Sequence, residues 1–260
     1  MSPGALRVAV LFPDLLGTYG DGGNGLILAR RAEWRGVEVE LVQAVSDARV
    51  PAADIYCLGG GEDGPQVRAA RTLVDDGTLA ARVAEGAVVL AVCAGFQVVG
   101  RHFPGADGEP HEGVALLDIE TAKGTGTRAV GEVVSEPAAD LGAPELPTLT
   151  GFENHGGRTS IGGGVVPLAR VTAGIGNGGG GDRNGTEGAV AGHIIGTYLH
   201  GPVLARNPAL ADLLLSWALG VGIDELVPLD DSAAESLRAE RLRARGRRGV
   251  RRRPRWRRRR

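Results

Sequence analysis

Ala87-Val88-Val89-Leu90-Ala91-Val92-Cys93-Ala94-Gly95-Phe96-Gln97 is an apolar strand that runs straight into a sharp turn. A strand apolar on both faces belongs to a parallel sheet covered by helices. A thiol at its end, with glycine two residues on and a helix-compatible run after it, has the layout of a nucleophile elbow. There the turn lifts the side chain above the sheet. Free N–H groups at the start of the next helix favour thiolate, the form that attacks carbonyl carbon. Taken alone, Cys93 fits a buried thiol filling a strand end equally well, so its meaning rests on the rest of the chain.

Outward from Cys93, apolar runs and turn signals alternate as in an α/β protein. Residues 6–12, 37–42 and 55–58 read as strands, and 25–35 as a helix. Residues 65–85 read as one helix, with Pro65 in its first turn and Val67, Leu73, Val74, Leu79 and Val83 as its apolar stripe. Beyond about residue 110 the texture changes: 114–120, 129–135, 149–154 and 190–199 read as strands joined by turns, an antiparallel extension. Between them, 173–188 is mostly glycine and polar residues and reads as a mobile surface loop. Asn207-Pro208 opens a last helix to about Leu219.

Composition excludes several classes. No apolar stretch reaches the roughly 18 residues needed to span a membrane, and the N-terminus enters a strand without a signal-peptide layout, so a cytoplasmic chain is expected. Five scattered histidines and two cysteines, Cys57 and Cys93, give no metal-ligand spacing, and no metal is expected. The net charge of −2 conceals an asymmetry. Residues 238–260 hold 14 Arg against one Glu, leaving −15 on 1–237. Such a basic block reads as a disordered, solvated arm that can touch anionic lipid; no nucleic-acid partner is expected.

Three further stretches bear on chemistry. His200, in Gly196-Thr197-Tyr198-Leu199-His200-Gly201-Pro202, also follows an apolar strand, and a thiolate needs a base brought from elsewhere in the sequence. His102, His111 and His193 read as surface residues. Gly59-Gly60-Gly61 follows another core strand, where backbone N–H groups approach a ligand without a Cβ in the way. With the N–H of Ala94, that of Gly60 would make an oxyanion hole. Gly20-Asp21-Gly22-Gly23-Asn24-Gly25 matches a dinucleotide fingerprint in form only. Residues 13–19 separate it from the strand, and the Asp21 carboxylate would repel a pyrophosphate. No Gly-Lys-Ser/Thr element marks an ATP site.

Together these residues resemble the class I glutamine amidotransferases of the cobyric-acid-synthase-like branch. Cys93-Ala94-Gly95-Phe96-Gln97 resembles the branch's Cys-x-Gly-x-Gln, and Tyr198-Leu199-His200-Gly201 its histidine motif. Residues 13–16 with 19–24, and 151–159, are similar to the GatD-type glutaminase subunits of lipid II isoglutaminyl synthases. The resemblance spans roughly 6–220 and implies a flavodoxin-like parallel sheet flanked by helices, with a domain over 1–222 and a C-terminal segment over 223–260 ending in the disordered Arg-rich tail. It implies Cys93 as nucleophile, His200 as base and acid, Gln97 and Arg128 at the glutamine, and no cofactor in this chain. ATP would bind a Mur-ligase-like (MurT-like) partner that amidates the D-glutamate of lipid II at the inner membrane face. Many class I members carry an acid two residues after the histidine. Here that residue is Pro202, so the orienting group is missing or comes from elsewhere. Two other readings share the core: the amidotransferase of a corrinoid amide synthase, and a non-catalytic flavodoxin-like module in which Cys93 senses redox state.

Overall fold

The computed structural model describes residues 4–139, 141, 146–178 and 185–249. Strands and helices alternate at first: β1 (Leu6–Leu11), α1 (Gly23–Glu33), β2 (Val39–Ala44), β3 (Ile55–Leu58), α2 (Asp63–Asp76), α3 (Thr78–Ala84), β4 (Val88–Val92) and α4 (Ala94–Val98). Strands then dominate, with β5 (His102–Pro104), β6 (Pro110–Glu112), β7 (Ile119–Lys123), β8 (Ala129–Pro137) and β9 (Leu149–His155). They continue as β10 (Gly157–Ile161), β11 (Ala169–Ala173), β12 (Thr186–Glu187), β13 (Ala189–Ala191) and β14 (Ile194–Thr197). Helices α5 (Val203–Arg206), α6 (Pro208–Leu219) and α7 (Ser232–Gly249) follow, with a 3-10 turn at Ile223–Glu225.

The central sheet has the order β13-β14-β4-β3-β1-β2, parallel except for β13. Strands β3, β4 and β14 are buried along their whole length, which is why their sequences are unbroken apolar runs. Helices α1, α4 and α6 pack on this sheet. Fully buried Leu11, Ile55, Leu58 and Leu90 each contribute about 1.5–3 kcal/mol relative to exposure. The extension is two four-stranded sheets, β10-β7-β5-β6 and β12-β11-β8-β9, antiparallel except where β5 meets β7. The α/β architecture read from the sequence is the one observed.

The structure differs from the sequence reading at several elements. The expected helix over 65–85 is two helices, because Gly77 sits in the left-handed region (φ 70°) and closes α2 with its N–H on Leu73 O. The strand expected over 190–199 is the hairpin β13–β14, whose second strand joins the parallel sheet beside β4. Residues 114–118 precede β7 instead of starting it.

The glycine-rich 173–188 is anchored where it is described. Asn177 donates to Gly188 O and accepts from Gly188 N (2.8 and 2.9 Å), while the Glu153 carboxylate accepts from the backbone of Ile175 and Gly176 (both 2.9 Å). Glu187 is fully buried and accepts from Thr197 Oγ1 (2.5 Å) and Tyr198 N (2.8 Å), fixing the end of β14. Burial pushes its carboxyl up to about 7 despite these bonds, and the charge of Glu153 adds to the effect. Residues 179–184 lie outside the described residues.

The chain divides into two compact units, Met1–Val227 and Pro228–Arg260. In the second, α7 runs through Gly249 where a disordered arm was expected from 238. Its Ala, Leu, Glu and Arg are strong helix formers, and Arg238 donates to Glu235 one turn back. Residues 250–260 lie outside the described residues. Among the described residues no helix is long and apolar enough to cross a membrane.

Candidate active site

The strand β4 delivers Cys93 in a backbone conformation (φ 53°, ψ −104°) that non-glycine residues avoid. Such a conformation costs on the order of 1–3 kcal/mol and persists only where neighbours enforce it. Two neighbours do so here. Cys93 N donates to Thr197 O of β14 (2.8 Å), and Gly95 N to Gly59 O (3.0 Å). A Cβ on Gly95 would stand 2.7 Å from Leu58 Cβ, so only glycine lets the turn seat against β3.

Because β14 lies beside β4 in register, Thr197 opposite Val92, its continuation carries His200 next to Cys93. His200 is fixed from the other side by a two-way backbone bridge to Phe152 of β9 (2.8 and 3.1 Å). Its Nδ1 donates to Asp21 Oδ2 at 2.8 Å, and both side chains are almost wholly buried. Asp21 comes from the loop between β1 and α1. The acid absent after the histidine therefore arrives from 179 residues earlier in the chain. Cys93, His200 and Asp21 lie at the carboxyl ends of β4, β14 and β1, where ligands bind in open parallel sheets, an arrangement that could serve as nucleophile, base and acid.

Burial opposes charge on His200, but its hydrogen bond to Asp21 and the closeness of Cys93 outweigh it, pushing its pKa up to about 10. The ring thus carries a proton at neutral pH. Nε2 makes no hydrogen bond of ordinary geometry and is left for the reacting groups. Cys57, by contrast, lies within β3, where burial alone pushes its thiol up to about 12. The two thiols are both unpaired, and only Cys93 has a base.

A cavity of about 260 Å³ opens at Cys93, lined by Gly61, Ala94, Gln97, Lys123, Arg128 and Asn154 among others. That is just under the roughly 300–1,000 Å³ of common ligand sites, a size for a small metabolite. The sequence-derived candidates Cys93, Ala94, Gln97 and Arg128 come together here. Gly60 does not join them as expected: its N–H is already committed to Asp21 Oδ2 (3.0 Å). Gly61 lines the cavity beside Ala94 instead. Gln97 is held at both ends of its amide, with Gln66 Nε2 donating to its Oε1 (2.9 Å) and its Nε2 donating to Tyr198 OH (3.2 Å).

Arg128 reaches Asn154 with one edge of its guanidinium, Nε to Oδ1 (2.5 Å) and Nη2 to the backbone carbonyl (3.1 Å). Asn154 Nδ2 in turn donates to Tyr19 OH. Sequence reasoning missed Asp21, Gln66, Asn154 and Tyr19. Tyr19, Asp21 and Asn154 lay in the stretches that carry the family resemblance, and Asp21 carried a physical signal besides: a carboxylate among glycines, just past a parallel strand, is a costly residue to bury without a cationic partner.

Residues 7–208 match the CobB/CobQ-like glutamine amidotransferase domain. The chain is 36% identical over 216 residues to the lipid II isoglutaminyl synthase (glutamine-hydrolyzing) subunit GatD of Staphylococcus aureus, covering 82% of this chain and 84% of that protein. It is 35% identical over 221 residues to the same subunit of Streptococcus pneumoniae, covering 84% and 82%. A cobyric acid synthase of Pelotomaculum thermopropionicum is 38% identical over 144 residues, 52% of this chain but 26% of that protein. Among solved structures, a glutamine amidotransferase is similar in fold, with a TM-score of 0.54, 19% identity and coverage of 82% of this chain and 99% of that one.

Proposed function

This chain belongs to the CobB/CobQ-like glutamine amidotransferase family, and on that premise we propose that it hydrolyses glutamine at Cys93 and hands the ammonia to a synthetase that amidates lipid II. Cys93 thiolate attacks the side-chain amide carbon of glutamine, and the N–H groups of Ala94 and Gly61 receive the developing oxyanion. His200 gives its proton to the departing nitrogen, so the C–N bond breaks, ammonia leaves and a γ-glutamyl thioester remains. The now neutral His200 takes a proton from water as its oxygen attacks the thioester, and glutamate leaves with the thiolate restored. Water and glutamine are consumed, ammonia and glutamate released, and the enzyme returns to its starting protonation. Asp21 holds the ring and supports its charge throughout. Arg128 takes the α-carboxylate of glutamine and Gln97 packs beside its side chain.

The observation that carries this reading is the Cys93–His200–Asp21 line opening onto a small polar cavity. Lipid II as destination is supported by the two GatD relatives, each matched over more than four-fifths of its length. The ammonia acceptor then belongs to a Mur-ligase-like (MurT-like) partner that binds ATP, activates the D-glutamate α-carboxylate and works at the inner membrane face. This chain itself needs no cofactor.

The test is co-purification of the full chain from its native cells, followed by glutamine-dependent amidation of lipid II. Capture of a Mur-ligase-like chain with ATP-dependent amidation supports the reading. Glutamine hydrolysis that amidates a corrinoid instead of lipid II redirects it to the cobyric acid branch. No ammonia release under any condition would leave Cys93 to the redox-sensing reading.

A further inference from the structure

Asn154 is shared between two parts of the site that no backbone element connects. Its side-chain oxygen and its backbone carbonyl accept from the Nε and Nη2 edge of Arg128. The guanidinium keeps its outer edge, Nη1 and the second Nη2 hydrogen, for a carboxylate in the cavity, because an arginine presents two separate forks. The side-chain nitrogen of Asn154 donates to Tyr19 OH, and its carbonyl stands 4.0 Å from Cys93 Sγ.

Tyr19 sits in the loop that also carries Asp21. Its ring packs edge-on against His200, centroids 4.8 Å apart. It is 47% exposed, and its backbone lies in the left-handed region (φ 63°), which an aromatic residue enters only at a cost. An exposed tyrosine gains nothing in core burial to offset that strain. Its contacts to His200 and Asn154 are what the conformation secures.

We infer that Tyr19 and Asn154 are positioning residues for glutamine: Tyr19 fixes the Asn154 amide, and the amide aims the free edge of Arg128 at the substrate carboxylate. One loop thereby sets the catalytic histidine through Asp21 and the substrate arm through Tyr19. The inference rests on the glutaminase reading and adds a residue, Tyr19, that acts on substrate affinity from the histidine side of the site.

The experiment is a double-mutant cycle on the full chain with its synthetase partner, reading KM and kcat for glutamine separately. Asn154→Ala removes a charge-assisted contact and should raise KM about 10–100-fold with a smaller change in kcat. Tyr19→Phe keeps the ring on His200 and removes one oxygen, so it should raise KM about 2–10-fold. In the Asn154→Ala background Tyr19→Phe should have no further effect on KM. Asn154→Asp, which accepts from both Arg128 and Tyr19, should restore KM to near the wild-type value. Tyr19→Phe removes so little that misfolding does not obscure its result, and thermal melts check the alanine variant. Additive KM effects, or a Tyr19→Phe effect confined to kcat, would overturn the inference while leaving the glutaminase reading intact. A wild-type chain that releases no ammonia would overturn both.

Discussion

Asp21→Asn separates orientation by charge from the mere filling of space. The amide is isosteric, and its oxygen can keep the position of Oδ2, which accepts from His200 and Gly60. Its nitrogen then falls where Oδ1 now lies buried without a partner. What is lost is the charge. A hydrogen bond to a charged group contributes about 1.5–3 kcal/mol, so His200 should fall from about 10 by about one to two units. The imidazolium still predominates at neutral pH, so the loss appears in the transition state as a kcat lower by about 10–100-fold.

The sign with pH follows. The folded pKa of His200 is raised above its ordinary 6.5, so the stability it contributes is complete below about 6.5 and drains away as pH rises through about 10. Activity that needs the imidazolium should decline over that alkaline limb. In Asp21→Asn the limb should move to lower pH. Glutamate release measured from pH 6 to 10.5 on both proteins reads the limb and kcat together, with thermal melts confirming the fold. An unmoved limb with kcat within a factor of about two would refute the assignment and reduce Asp21 to a strut that holds Gly60 and its loop.

Cys93→Ser should abolish hydrolysis while Cys57→Ser retains it; an electrophilic glutamine analogue mapped to Cys57 would contradict the assignment of the nucleophile. Gly60→Ala would place a Cβ 2.7 Å from His200 Cε1, and should cost about tenfold or more in kcat with the fold intact by circular dichroism. An active Gly60→Ala enzyme would mean that the ring has more freedom than the packing allows. Removing 228–260 should leave thermal stability and glutaminase rate unchanged, because Met1–Val227 is a compact unit of its own. Co-sedimentation of full and shortened chains with anionic vesicles at low and moderate salt would show whether the arginines bind lipid. Loss of activity on truncation would contradict that division.

The parallel core was legible because burial on both faces writes itself as continuous apolar runs, and the strands at 55–58 and 88–92 could be found by that alone. The strand-end positions of Cys93 and His200 were legible because each follows such a run with glycine close by. What failed was whatever depended on a partner far away in sequence. Asp21 looked like a reason against an anion site, since its cation, His200, lies 179 residues on. Gly60 was indistinguishable from Gly61 until the carboxylate that claims its N–H was in place. Glu187 lay in a stretch read as solvated loop, and its bond to Thr197 belongs to tertiary structure. The helix over Ser232–Gly249 was hidden by charge, which argued for a solvated arm more loudly than its helix-forming residues argued for order.

The reach from Asp21 to His200 also has a meaning for synthesis of the protein. Strands emerge from the ribosome at the order of 5–20 residues per second, and for most of that passage Cys93 is already outside while its histidine is not. During this interval the chain holds a cysteine without a base and a carboxylate without its cation. The strand that brings His200 is also the one that completes the parallel sheet. A nascent chain that has not yet reached His200 therefore lacks the thiol–imidazole pair that the proposed hydrolysis needs.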